Sequence, residues 1–115
     1  MVQIYHNPRW GKSRATLEVL QKNGIEPEII KYLDTPPTEK VLKTILKKMG
    51  QKPTDVIRFK EAIAKEMALK ADDNRSDDEW IKLMVQHPKI IERPIVVNGD
   101  KAIMGRPPDG VLSIF

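Results

Sequence analysis

Apolar positions change their period several times along the chain, and each change marks an element. Val2 to Tyr5 (VQIY) is a short apolar run ended by Asn7 and Pro8, the pattern of a buried strand. From Ser13 the spacing of Ala15, Leu17, Val19 and Leu20 is helical, and Asn23-Gly24 supplies the left-handed residue that ends such a helix. Glu28 to Leu33 (EIIKYL) reads as a second strand. Its connection to the first is too long for a hairpin and contains a helix, so the two strands should run parallel. Asp34-Thr35-Pro36-Pro37 forms a rigid turn, after which Thr38 can cap a helix whose apolar face is Val41, Leu42, Ile45, Leu46 and Met49 and which Gly50 ends. Pro53 to Leu69 is helical only in pieces. Ser76 and Glu79 have capping-box spacing, and Trp80, Ile81, Leu83, Met84 and Val85 follow as a mostly buried helix up to His87-Pro88. Pro94 to Val97 and Lys101 to Met104 flank Asn98-Gly99-Asp100, which predicts an antiparallel hairpin, and a closing helix is expected from about Pro108.

The order β-α-β, several helices, then β-β-α predicts an α/β fold with a mixed four-stranded sheet. It is the order of thioredoxin-like folds carrying an all-helical insertion, here at about 38–88 within a single domain spanning 1–115. A length of 115 residues with 40% hydrophobic and 31% charged composition fits one compact core. No apolar run approaches the roughly 18–20 residues of a membrane span, and the first residues lack a signal-peptide core, so a cytoplasmic protein without membrane partners is expected.

The absence of cysteine excludes disulfides, Cys-type zinc sites and thiol exchange on the chain's own residues. The net charge of +4 is spread from Lys12 to Lys101 among 16 acids, with two each of Trp, Tyr and Phe. Nucleic acid, which asks for a basic stripe with stacking groups, is therefore not the expected partner. His6 and His87 make too small a set for a metal site, and Asp72 to Glu79 lacks the glycine and terminal glutamate of a calcium loop. Ser13 has only His6 as a neighbouring base and no acid to orient it, which argues against a serine hydrolase.

The stretch YHNPRWGKSRAT, Tyr5 to Thr16, leaves a strand and enters a helix. Such a loop suits an anion or a thiolate, because the first-turn N–H groups are unpaired and the helix dipole is positive there. Together with EIIKYLDTPPT and IERPIVVNGDKAIMGRPPDGVL, it resembles the glutaredoxin-dependent arsenate reductase family, thioredoxin-like proteins, over essentially the whole chain. In that family the loop reads N-P-x-C-x-x-S-R, and its cysteine attacks bound arsenate. Glutathione and then glutaredoxin resolve the intermediate and release arsenite. The resemblance implies Arg58, Arg93 and Arg106 as oxyanion ligands, a role that guanidinium forks suit. It implies His6 as a residue that tunes the thiolate and Pro94 as the cis residue at the floor of the site. Asn7, Ser13 and Arg14 complete the matching loop. It also implies glutathione as co-substrate, arsenate and glutaredoxin as partners, a monomer, and no bound cofactor or metal.

Trp10 stands where the family nucleophile belongs. Three accounts follow. Indole is not a useful nucleophile, so the chain would be a pseudoenzyme. Alternatively, a UGA codon read as tryptophan would hide a native selenocysteine, or a cysteine would be native at position 10. Finally, the scaffold would serve as a non-catalytic protein-binding or transcription-regulatory member of the same fold family, with Trp10 as a contact residue.

Overall fold

A computed structural model of the protein describes residues 2–92, 94–105 and 107–115. The chain forms two compact units, one from residues 1–35 and 93–115, the other from residues 36–92. Among the described residues no helix is long and apolar enough to cross a membrane.

The first unit is built on a mixed sheet of β1 (Val2–His6), β2 (Glu28–Lys31), β3 (Ile95–Asn98) and β4 (Lys101–Met104), in the order β2-β1-β3-β4. β1 pairs parallel with β2 from Gln3↔Glu28 to His6↔Lys31 and antiparallel with β3 from Val2↔Asn98 to Tyr5↔Ile95. The parallel pair, the hairpin and the mixed sheet thus agree with the pattern of apolar positions. Helix α1 (Gly11–Lys22) and a closing 3₁₀ helix over Pro108–Ile114 pack together in this unit, around a core of Ile4, Leu20, Val96 and Val111.

Four boundaries differ from expectation. β2 stops at Lys31 instead of Leu33, because the Lys31 carbonyl accepts from the N–H groups of Asp34 and Thr35 at 3.0 and 2.9 Å and turns the chain. Tyr32 is apolar because that turn buries it, not because it continues a strand. β3 begins at Ile95, since Pro94 has no N–H for the ladder, and Asn98 pairs with Lys101 across a two-residue loop in which Gly99 takes φ +60°. The closing helix is 3₁₀ rather than α. Its three-residue turn puts Val111 and Ile114 on one face against the core, and Asn98 Nδ2 donates to the Ile114 carbonyl at 2.7 Å. Finally, α1 starts at Gly11 rather than Ser13, with Trp10 in the N-cap position.

The second unit holds α2 (Glu39–Met49), α3 (Ala62–Glu66) and α4 (Asp77–Gln86), with 3₁₀ turns at Pro53–Val56 and Pro88–Ile90. Thr38 caps α2 by accepting from the Val41 N–H at 3.2 Å, and Gly50 ends it at φ +66°. Val41 itself is exposed. At 100° per residue it lies a quarter turn from the face centred on Leu42, Ile45, Leu46 and Met49. The Ser76–Glu79 capping box closes in both directions at the start of α4, with bonds of 3.2 and 3.3 Å.

A close approach in the first unit has a measurable consequence. Gly105 donates its N–H to the Pro94 carbonyl at 2.9 Å, and a Cβ there would overlap Thr16 Oγ1 and come within 2.7 Å of Pro94 Cγ. Both neighbours are buried, so neither can swing away. Gly105→Ala is expected to cost about 1–3 kcal/mol of stability, read as a lower denaturation midpoint. An unchanged midpoint would contradict this packing.

Candidate functional site

The loop between β1 and α1 is organised by Asn7. Its side-chain Oδ1 accepts from the Arg9 N–H at 3.1 Å and its carbonyl accepts from the Trp10 N–H at 3.1 Å, which folds Pro8 and Arg9 into a tight turn. Trp10 then adopts an extended N-cap conformation, φ −104° and ψ 129°, and its carbonyl accepts the first helical bond from the Arg14 N–H at 3.0 Å. Arg14 reaches back so that Nη1 donates to the Pro8 carbonyl at 3.2 Å. Position 10 is therefore fixed by backbone bonds on both sides, while its indole is 37% exposed.

No side chain caps α1 and no acidic residue stands in its first turn. The amides of Gly11, Lys12 and Ser13 lie before the first intrahelical acceptor that could satisfy them, so positive potential is concentrated beside position 10. Ser13 lies inside the first turn of α1, two residues after its start, and its side chain is buried and bonded to the strand end. The Asn7 N–H donates to Ser13 Oγ at 3.0 Å, and Ser13 Oγ lies 2.6 Å from His6 Nδ1. The amide is an obligatory donor, so Oγ accepts from Asn7 and shares a second, short hydrogen bond with Nδ1. The His6 ring is thus anchored at the strand end through Nδ1.

Burial lowers the His6 pKa below its ordinary value of 6.5, and the Lys31 ammonium, one strand over, lowers it further. The unfolded chain binds this proton more readily than the folded one. Stability from His6 is therefore full above pH 6.5 and is lost as pH falls through the folded pKa. Titration of the His6 imidazole by NMR is expected to give a midpoint below 6.5; a midpoint above it would contradict the buried neutral histidine.

His6, Asn7, Ser13 and Arg14 are accordingly brought together around position 10. Pro94 is buried immediately before β3, with its carbonyl bonded to Gly105. Arg58 belongs to the second unit, where its Nε lies 3.7 Å from Glu61 Oε2 and its N–H donates to the Ile90 carbonyl at 2.7 Å. Arg93 and Arg106 lie outside the described residues. No group of three or more histidine, aspartate or glutamate residues suited to a metal occurs among the described residues. Sequence reading did not single out Lys31, Leu33 and Asp34, which line a cleft of about 260 Å³ together with the loop residues from His6 to Arg9. The signal available for it was topological: ligand crevices open at the carboxyl ends of parallel strands.

Comparison with known proteins places these residues in context. Residues 5–114 match the model of the ArsC family. The chain is 48% identical over 114 residues to the Escherichia coli K12 protein YfgD, covering 98% of this chain and 95% of that one. It is 40% identical over 115 residues to an arsenate reductase of Neisseria meningitidis, covering 99% and 97%. The solved structure of an arsenate reductase from Vibrio cholerae superposes with a TM-score of 0.94 at 46% identity, covering 99% of this chain and 97% of that one.

Proposed function

The chain belongs to the ArsC family, and from that premise we propose that it carries the site of a glutathione- and glutaredoxin-coupled arsenate reductase with the nucleophile replaced, so that it is inert as a reductase while Trp10 stands there. The observation that carries this reading is the intact frame around position 10: Asn7 folds the loop, the uncapped α1 N-terminus supplies N–H donors, and His6 is held neutral against Ser13.

In the proposed reaction a thiolate or selenolate at position 10 attacks the arsenic of arsenate and one oxygen departs as water. The resemblance implies Arg58, Arg93 and Arg106 as ligands of the oxyanion, a role that guanidinium forks suit; the first-turn amides of α1 are the donors beside position 10. Glutathione then adds to the arsenic with loss of a second oxygen as water, the glutaredoxin thiol attacks the glutathione sulfur so that the two leave as a mixed disulfide while As(V) becomes As(III), and water releases arsenite from position 10. Indole supplies no electron pair for the first step, so no later step is reached. The expected outcome is no arsenite above the uncatalysed background when the chain as written receives arsenate, glutathione and glutaredoxin. Arsenite formation by that chain would refute the assignment of position 10. UGG at codon 10 of the native gene would exclude recoded selenocysteine and leave the pseudoenzyme reading.

A second reading is favoured by one observation: the Trp10 indole is 37% exposed at a fixed helix start. Tryptophan there suits a protein-contact role, with binding replacing catalysis.

A further inference from the structure

Lysines occur along the whole chain, but their excess over acids is local. Residues 39–52, which are α2 and the turn after it, hold five of the 20 basic residues and one of the 16 acids, so the rest of the chain is balanced and the net charge of +4 resides here. At 100° per residue Lys40, Lys43 and Lys47 fall within about 60° of one another, in a row about 10 Å long, and Lys48 and Val41 lie along one side of that row. Lys40, Val41, Lys43, Thr44 and Lys47 are exposed, while Leu42, Ile45 and Leu46 on the opposite side are buried.

The helix itself does not need this row. Cations near a helix C-terminus complement its dipole, which accounts for Lys47 and Lys48 in the last turn. Lys40 and Lys43 stand in the opposite half, where positive charge is unfavourable. Of the four, Lys43 alone is ion-paired among the described residues, with Asp78 Oδ1 at 3.5 Å, and that pair is exposed on both sides and screened by water. Asp78 weakens the field at the Lys43 end, so the positive potential is strongest around Lys47 and Lys48.

The chemistry of this face selects its occupant. It has no aromatic ring on which a base could stack and no guanidinium to fork onto a phosphate or a base edge. The apolar side of α2 is buried, so it cannot enter a lipid surface. Val41 is 41% exposed beside Lys48, and such an apolar group gains from burial against an aliphatic side chain but not against phosphates. We propose that the outer face of α2 docks an acidic amphipathic helix of another protein. Its carboxylates, spaced three and four residues apart, meet Lys40, Lys47 and Lys48, and an aliphatic residue covers Val41. The surface belongs to the second unit and does not depend on the chemistry proposed for position 10.

The test is an amide-resonance titration of the full chain with a helical peptide two heptads long, bearing glutamates three and four residues apart and one leucine among them. At low salt, saturable shifts are expected within residues 39–52, with a Kd on the order of 0.1 mM. At about 0.15 M salt, where the screening length is about 8 Å, the affinity is expected to fall severalfold. Lys47→Glu is expected to weaken binding about tenfold or more and Val41→Ser about threefold. Both side chains are exposed, so the denaturation midpoint of either variant is expected to match the parent and to separate lost binding from lost fold. Mixed-sequence duplex DNA and phosphatidylglycerol vesicles are titrated alongside, and both are expected to bind more weakly than the peptide. No saturation by the peptide, shifts centred outside residues 39–52, unchanged binding in Lys47→Glu or Val41→Ser, or tighter binding of DNA or vesicles would overturn the proposal.

Discussion

Trp10→Cys is expected to produce arsenite from arsenate in the presence of glutathione and glutaredoxin, at a rate on the order of 10⁴-fold or more above the parent chain. That is the scale by which deleting a nucleophile lowers turnover where the remaining machinery is intact. The expectation rests on position 10 being held from both sides, by the Trp10 N–H on the Asn7 carbonyl and by the Arg14 N–H on the Trp10 carbonyl. A smaller side chain would inherit that backbone without rebuilding the loop. The substitution also removes the bulk of an indole that would compete with an oxyanion for the space beside the amides. If the variant stays silent while its fold is unchanged, arsenate is the wrong substrate for this site.

Trp80→Ala is expected to be the most damaging of the stability changes, at about 3–5 kcal/mol. Trp80 is 2% exposed in the second unit. Phe59 meets it edge to face, with ring centroids 5.8 Å apart and planes at 88°, and the Arg75 guanidinium lies 5.3 Å from its ring centroid. Truncation removes the burial, the aromatic contact and the cation–π contact together. Against a total stability of roughly 5–15 kcal/mol such a loss leaves a marginal fold. A urea midpoint measured by circular dichroism reads it directly. A loss below about 1 kcal/mol would show that α4 does not depend on this side chain.

Much of this architecture was legible because local signals and tertiary structure agree. The Ser76–Glu79 box, the Thr38 cap and the Gly50 and Asn98-Gly99 punctuation each act within a few residues, so sequence suffices to place them. The misplacements arose where a side chain serves something distant. Helical spacing is visible only from Ser13, which bonds His6, seven residues earlier, from within the first turn, while Trp10 stands at the N-cap. Tyr32 looked like strand and is a buried turn residue. Gly105 carries no sequence signal at all, because its need for a bare Cα comes from Thr16 and Pro94, both remote along the chain. The cleft is hidden for the same reason: Lys31 and Asp34 meet Arg9 only once β1 and β2 are paired.

The central claim is that the loop around position 10 keeps the electrostatics of a nucleophile site after losing the nucleophile. Its most direct test is the pH dependence of alkylation of the thiol introduced by Trp10→Cys. The uncapped α1 N-terminus, with no acid in its first turn, is expected to place that thiol well below the ordinary value of about 8.5, within roughly 3.5–7.5. A midpoint at or above about 8.5 would contradict the claim, whatever the variant does with arsenate.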